Sequence, residues 1–187
     1  MQITTLQRLV RASSLAYLSI DKIPTSPYYQ NSQLHPILQV VDPQSESGAT
    51  IFVPESDANN SSIIVACRGS ANLKNFGTNL KFNLVPATKM SFNDVPSDAL
   101  VHEGFQDAAL GLWRELAPNL LDVLDGNDNE IGDVVFTGHS LGAGEYFIAL
   151  LLLLNQLSIL CFNCTTYFAS IDIQPQHYYV QHNTMPQ

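Results

Sequence analysis

Asp133-Val134-Val135-Phe136-Thr137-Gly138-His139-Ser140-Leu141-Gly142 is the stretch on which the fold turns. Its first half is a short apolar run rich in β-favouring residues, which reads as a buried strand. Its second half is a G-x-S-x-G pentapeptide, and an apolar, helix-like stretch follows it. That order predicts a nucleophile elbow: a sharp strand-to-helix turn leaves the Ser140 hydroxyl exposed, and the flanking glycines let neighbouring backbone pass without a Cβ clash.

Working outward, residues Glu103 to Leu124 carry a helical apolar pattern (Phe105, Ala109, Leu112, Trp113, Leu116, Leu120, Leu121, Leu124), and Pro118 is expected to interrupt it. Upstream, Pro36–Val41, Ala49–Val53 and Ile63–Ala66 read as successive strands, separated by turn signals at Asp42-Pro43, Ser47-Gly48 and Asp57–Asn60. Near the N-terminus, Ile3, Leu6, Val10, Tyr17 and Ile20 recur at helical spacing, with Arg8 and Arg11 off that face. They predict an amphipathic helix. Between the third strand and the long helix, Ala71 to Leu100 mixes apolar residues with Asn, Lys and Pro, and has the length of a flap outside the core. Strand, helix, strand, serine turn and helix in succession predict an α/β fold, a mostly parallel sheet covered by helices. Residues 1–187 read as a single domain, with 156–187 a divergent or truncated tail.

Composition sets limits on function. Of the 187 residues 45% are hydrophobic, enough for one packed core, and only 13% are charged, about half the usual ~25%. The net charge is -9, and no Lys or Arg follows Arg114, so nucleic acid is a poor partner. Residues 1–8 lack the basic and apolar pattern of a secretory signal, and the apolar run Phe147–Phe162 is broken by Asn155, Gln156 and Ser158, short of the ~20 residues of a membrane span. Three cysteines, Cys67, Cys161 and Cys164, do not make a disulfide scaffold. A cytoplasmic or otherwise intracellular location is therefore expected, with no transmembrane segment.

Three blocks, in order and together spanning about residues 60 to 150, resemble the class 3 lipase family of the α/β-hydrolase fold. The first is Ile63–Ser70 with Lys74–Leu80, similar to the family's strand, its Arg-Gly-Thr/Ser turn and the segment after it. The second is Val101-His102-Glu103-Gly104-Phe105, similar to a His-x-Gly-Phe helix start. The third is Val134–Gly142. The resemblance implies hydrolysis of carboxylic esters of acylglycerols or related lipids, with Ser140 as nucleophile forming an acyl-enzyme. It implies oxyanion donors at the Leu141 amide and at the Ser70 amide and hydroxyl, Arg68 as an anchor of that loop, and a lid within Ala71–Asn93 that makes transient contact with a lipid surface. The Leu141 role also follows from its place after an elbow serine, where a helix begins and its N–H is free. Departures are Gly142-Ala143-Gly144 in place of two successive glycines, Glu145 at a position usually small or apolar, Cys67 for an aromatic, and Asn79 for an Asp.

A serine nucleophile needs a base and an orienting acid. In the family these are an Asp and then a His downstream, and here only Glu145, Asp172, His177 and His182 are available after Ser140. Asp172 with His177 or His182 keeps the family's order, at a shorter spacing and without the family's surrounding motifs. Two readings follow: a lipase or esterase using these residues, or a catalytically impaired fragment that binds lipid or serves a structural role. His139 is expected to pack beside the turn, and His102 to be structural. Cys161-x2-Cys164-x12-His177-x4-His182 also meets the spacing of a zinc site, but Pro175 works against a continuous helix there and the segment has no basic residue, so neither a metal nor a cofactor is expected.

Overall fold

The computed structural model describes residues 5–54, 62–69, 83–87, 100–125 and 134–139. Strands β1 (Leu34–Val41), β2 (Gly48–Pro54), β3 (Ile63–Arg68) and β6 (Val134–Gly138) form one sheet in the order β1-β2-β3-β6. Strands β4 (Leu84–Pro86) and β5 (Leu100–His102) form a separate antiparallel pair. Helix α1 (Thr5–Leu15) precedes the sheet, and α2 (Glu103–Asp125) lies in sequence between β5 and β6.

Alternation along the strands separates the core into two layers. Ile63, Val65 and Cys67 of β3 and Val134 and Phe136 of β6 pack with Leu112, Trp113, Leu116 and Leu120 of α2. Ile64 and Ala66 of β3 and Val135 of β6 pack on the other side with Leu9, Ala12, Leu15 and Ala16, four buried residues of α1 and its final turn. A sheet buried on both faces explains why β3 and β6 read as continuous apolar runs rather than alternating ones.

The described sheet is mixed. β1/β2 and β2/β3 are antiparallel, and only β3/β6 is parallel, with Ile63 opposite Val134 and Cys67 opposite Gly138. The cause is connection length: the short turn between β1 and β2 reverses the chain directly, whereas the long crossover carrying α2 returns β6 parallel to β3. Pro36 and Leu38 flank a register shift, as expected where a proline has no N–H to give to the ladder.

Two sequence expectations require correction. The buried residues of α1 are Leu9, Ala12, Ser13 and Leu15, with Ala16 beyond it, while Leu6 is 55% exposed and Tyr17 and Ile20 also face solvent; Ile3 lies outside the described residues. Small residues, Ala12, Ser13 and Ala16, share this face with Leu9 and Leu15, and a pattern read from large apolar residues alone does not find it. The long helix also runs unbroken through Pro118. The carbonyl that loses its partner there is that of Arg114, and both residues are on the exposed side, where water can satisfy it. Within the expected lid range, residues 84–86 are strand, paired with β5 through Leu84 and His102, Val85 and Val101, and Pro86 and Leu100.

The β1–β2 turn is held by its own side chains and touches α2. Asp42 is buried and its carboxylate accepts hydrogen bonds from the Ser45 amide (2.8 Å) and hydroxyl. A Cβ on Gly111 of α2 would lie 2.7 Å from Asp42 Oδ2 and 2.9 Å from its Cγ. Gly111→Ala gains up to about 1 kcal/mol of helix propensity, but the carboxylate can retreat only by giving up hydrogen bonds to a charged group worth ~1.5–3 kcal/mol each. A net loss of about 1 kcal/mol is expected, read as a melting temperature lower by roughly 2–4 °C. A higher melting temperature would mean that the Asp42 carboxylate yields freely.

Candidate active site

The parallel pair β3/β6 brings two strand ends side by side. Cys67 and Gly138 are the last partners in register, and beyond them the chains run on as Arg68-Gly69 and His139. The C-terminal ends of parallel strands are where open α/β sheets place their ligand sites. Here the next residue of each chain is a serine, Ser70 after Gly69 and Ser140 after His139.

One side chain from outside the sheet meets both ends. The Tyr17 hydroxyl accepts a hydrogen bond from the Gly69 N–H at 3.2 Å and donates to the His139 carbonyl at 3.2 Å. It also lies 3.2 Å from His139 Nδ1, with the two rings edge to face at a centroid distance of 5.9 Å. One helical turn earlier, the Ser13 hydroxyl is 2.8 Å from that of Thr137, both buried. Thr137 and His139 are alternate residues on one face of the chain, and Ser13 and Tyr17 are four apart, so the two pairs match the strand and helix periods.

Arg68 anchors the β1–β2 turn, where its Nη2 donates to the Glu46 carbonyl at 3.3 Å and its Nε would lie 2.6 Å from a Cβ on Gly48. At the start of α2, the His102 ring lies 4.7 Å from that of Phe105. His139 packs against Tyr17; the turn beside which it was expected lies outside the described residues. Ser70, Ser140, Leu141, Asp172, His177 and His182 lie outside the described residues, as do Cys161 and Cys164 of the zinc spacing. Among the described residues no group of three or more His, Cys, Asp or Glu is placed to hold a metal ion, and no helix is long and apolar enough to cross a membrane. The sequence pattern places Tyr17 on an apolar helix face and does not single it out, because the partners of its hydroxyl lie 52 and 122 residues away in the chain.

Solved structures that the chain resembles include lipases of fungi. The chain superposes on a deletion mutant of the Rhizomucor miehei lipase propeptide complex with a TM-score of 0.67 at 21% identity, over 88% of this chain and 51% of that one. For the Lip2 lipase of Yarrowia lipolytica the TM-score is 0.63 at 17% identity, covering 86% and 55%. For the lipase of Rhizopus microsporus var. chinensis it is 0.63 at 20%, covering 89% and 58%. The chain thus spans little more than half the length of these lipases. The fold is that of the α/β-hydrolases. The class 3 lipase model matches residues 64–169, more than half of the chain, and the chain belongs to that family.

Proposed function

We propose that the protein is a serine carboxylic-ester hydrolase acting on acylglycerols or related lipids, with Ser140 as nucleophile. The observation that carries this reading is the β3/β6 pair, which sets the strand end at Arg68-Gly69 beside the one at Gly138-His139 inside the region of family match. Ser140 attacks the ester carbonyl, the base takes its proton, and the tetrahedral oxyanion is held by the Leu141 amide with the amide and hydroxyl of Ser70. Collapse expels the alcohol, which receives that proton. Water then attacks the acyl-enzyme by the same route. Asp172 with His177 or His182 supplies the acid and base.

Contact with a lipid surface is supported by the outward face of the β4/β5 pair. Register places Leu84 and Pro86 on the same face as Leu100, and all three are exposed, whereas Val101 on the opposite face packs on the core. These residues adjoin or fall within the proposed lid range.

The test is covalent labelling. The purified protein is expected to react with a fluorophosphonate probe at one site, with the adduct on the peptide carrying Ser140 by mass spectrometry and no labelling of Ser140→Ala. A folded protein that takes no label, or takes it elsewhere, would overturn the nucleophile assignment.

A further inference from the structure

The three contacts of the Tyr17 hydroxyl impose a proton count. A phenol has one proton to give and two lone pairs to receive. The Gly69 amide can only donate and the His139 carbonyl can only accept. With the phenolic proton given to the carbonyl, the contact to Nδ1 is a hydrogen bond when that ring nitrogen carries the hydrogen. One phenolic oxygen thus joins a backbone donor at the end of β3 to a backbone acceptor at the end of β6, just past the last residues that the sheet itself pairs.

Tyr17 is itself held from two sides. Its turn closes α1 with Ala16 N–H to Ala12 carbonyl and Leu18 N–H to Leu15 carbonyl contacts of 2.9 and 3.0 Å. On the sheet side, Gln39 of β1 donates from Nε2 to the Leu18 carbonyl at 2.8 Å and accepts at Oε1 from the Ile20 N–H at 3.2 Å. The hydroxyl is therefore a fixed point of the fold although Tyr17 itself is 36% exposed.

We propose that Tyr17 is a positioning residue for the oxyanion donors, its hydroxyl fixing the separation of the turn that enters Ser70 from the turn that enters Ser140-Leu141. The proposal rests on the roles given to Ser70, Ser140 and Leu141 above. Donors on two different turns lower the barrier only when both are aimed at the same oxygen, and misplacement by about 1 Å can cost as much as ~100-fold in rate. Tyr17 touches neither substrate nor reacting atoms in this account. It acts through Gly69 and His139.

Tyr17→Phe removes the hydroxyl and keeps the ring, and Ser13→Ala is its control, since it breaks the neighbouring α1–β6 bond without touching either turn. For Tyr17→Phe we expect kcat to fall about tenfold, roughly the rate equivalent of one hydrogen bond, with KM within about twofold, because the lost alignment matters in the transition state. The rate constant for fluorophosphonate labelling should fall by a similar factor while labelling still reaches completion. The ring nitrogen NMR shifts of His139 should move. Ser13→Ala should lower the melting temperature and leave kcat at 25 °C unchanged. Unchanged kcat and labelling rate in Tyr17→Phe beside an active wild type would overturn the proposal and leave the serine-hydrolase reading standing. A loss carried by KM alone would do the same. A wild type that neither labels nor turns over ester would remove that reading, and this proposal with it.

Discussion

Ser140→Ala is expected to lower ester turnover by about a million-fold, the order found when the serine of a serine-histidine-aspartate hydrolase is removed. The nucleophile and its base act as one unit, so loss of either costs about as much as loss of both. Of His177→Ala and His182→Ala, one should fall to the floor set by Ser140→Ala and the other should keep full turnover. Asp172→Ala should fall less, by roughly ten-thousand-fold, since the acid orients and stabilises the imidazolium without itself exchanging the proton. Hydrolysis of a soluble p-nitrophenyl ester measures all four variants and avoids the separate question of lipid-surface contact. If both histidine variants retain full turnover while Ser140→Ala loses it, neither imidazole is the base. If Ser140→Ala retains turnover, the elbow is a structural turn. A circular dichroism spectrum matching wild type ensures that each loss is chemical.

The two parallel strands were legible because burial on both faces leaves a plain signature: Ile63-Ile64-Val65-Ala66 and Val134-Val135-Phe136 have no polar residue to confuse their reading. Their ends were less so. β3 extends two residues beyond the expected Ala66 because Cys67 and Arg68 continue the pairing with β2, opposite Ala49 and Gly48. Where the deciding factor was shape rather than polarity, pattern failed. Ala12, Ser13 and Ala16 carry little hydrophobic weight, yet they are buried beside Leu9 and Leu15 on the face of α1 and its final turn that meets the sheet. Pro118 was read as a break, whereas a helix can pass a proline whose unpaired carbonyl faces water. Tyr17 is the instructive case for the site. Its spacing fits an apolar stripe, its ring is exposed, and its importance lies in one oxygen whose partners are 52 and 122 residues away in the chain. No local pattern encodes such contacts; they follow only once β3 and β6 are known to be neighbours.

Phe136→Ala should produce the largest loss of stability. Phe136 is 1% exposed, among the largest fully buried side chains, and sits in the layer where β6 meets α2. Truncating a buried phenylalanine costs about 3–5 kcal/mol, from lost transfer energy and from the cavity left behind. Against a typical total of ~5–15 kcal/mol, that is a large share. The site favours the upper part of the range, because β6 is hydrogen-bonded to β3 and packed on both faces, leaving little room to collapse. The melting temperature should fall by roughly 10 °C or more, and the urea midpoint should drop at unchanged slope. The chain has a single tryptophan, Trp113, buried in the same layer, so its fluorescence reports the transition directly. Ile37→Ala, at the exposed register shift of β1, should change stability by less than about 0.5 kcal/mol. Below its lowered midpoint, Phe136→Ala should keep most of its ester turnover per folded molecule, since the clamp of Tyr17 on Gly69 and His139 is made on the opposite face of the sheet. Ser140→Ala should show the reverse, a wild-type melting curve with turnover gone. A Phe136→Ala protein with an unshifted melting curve would mean that the β6–α2 layer does not hold the domain together.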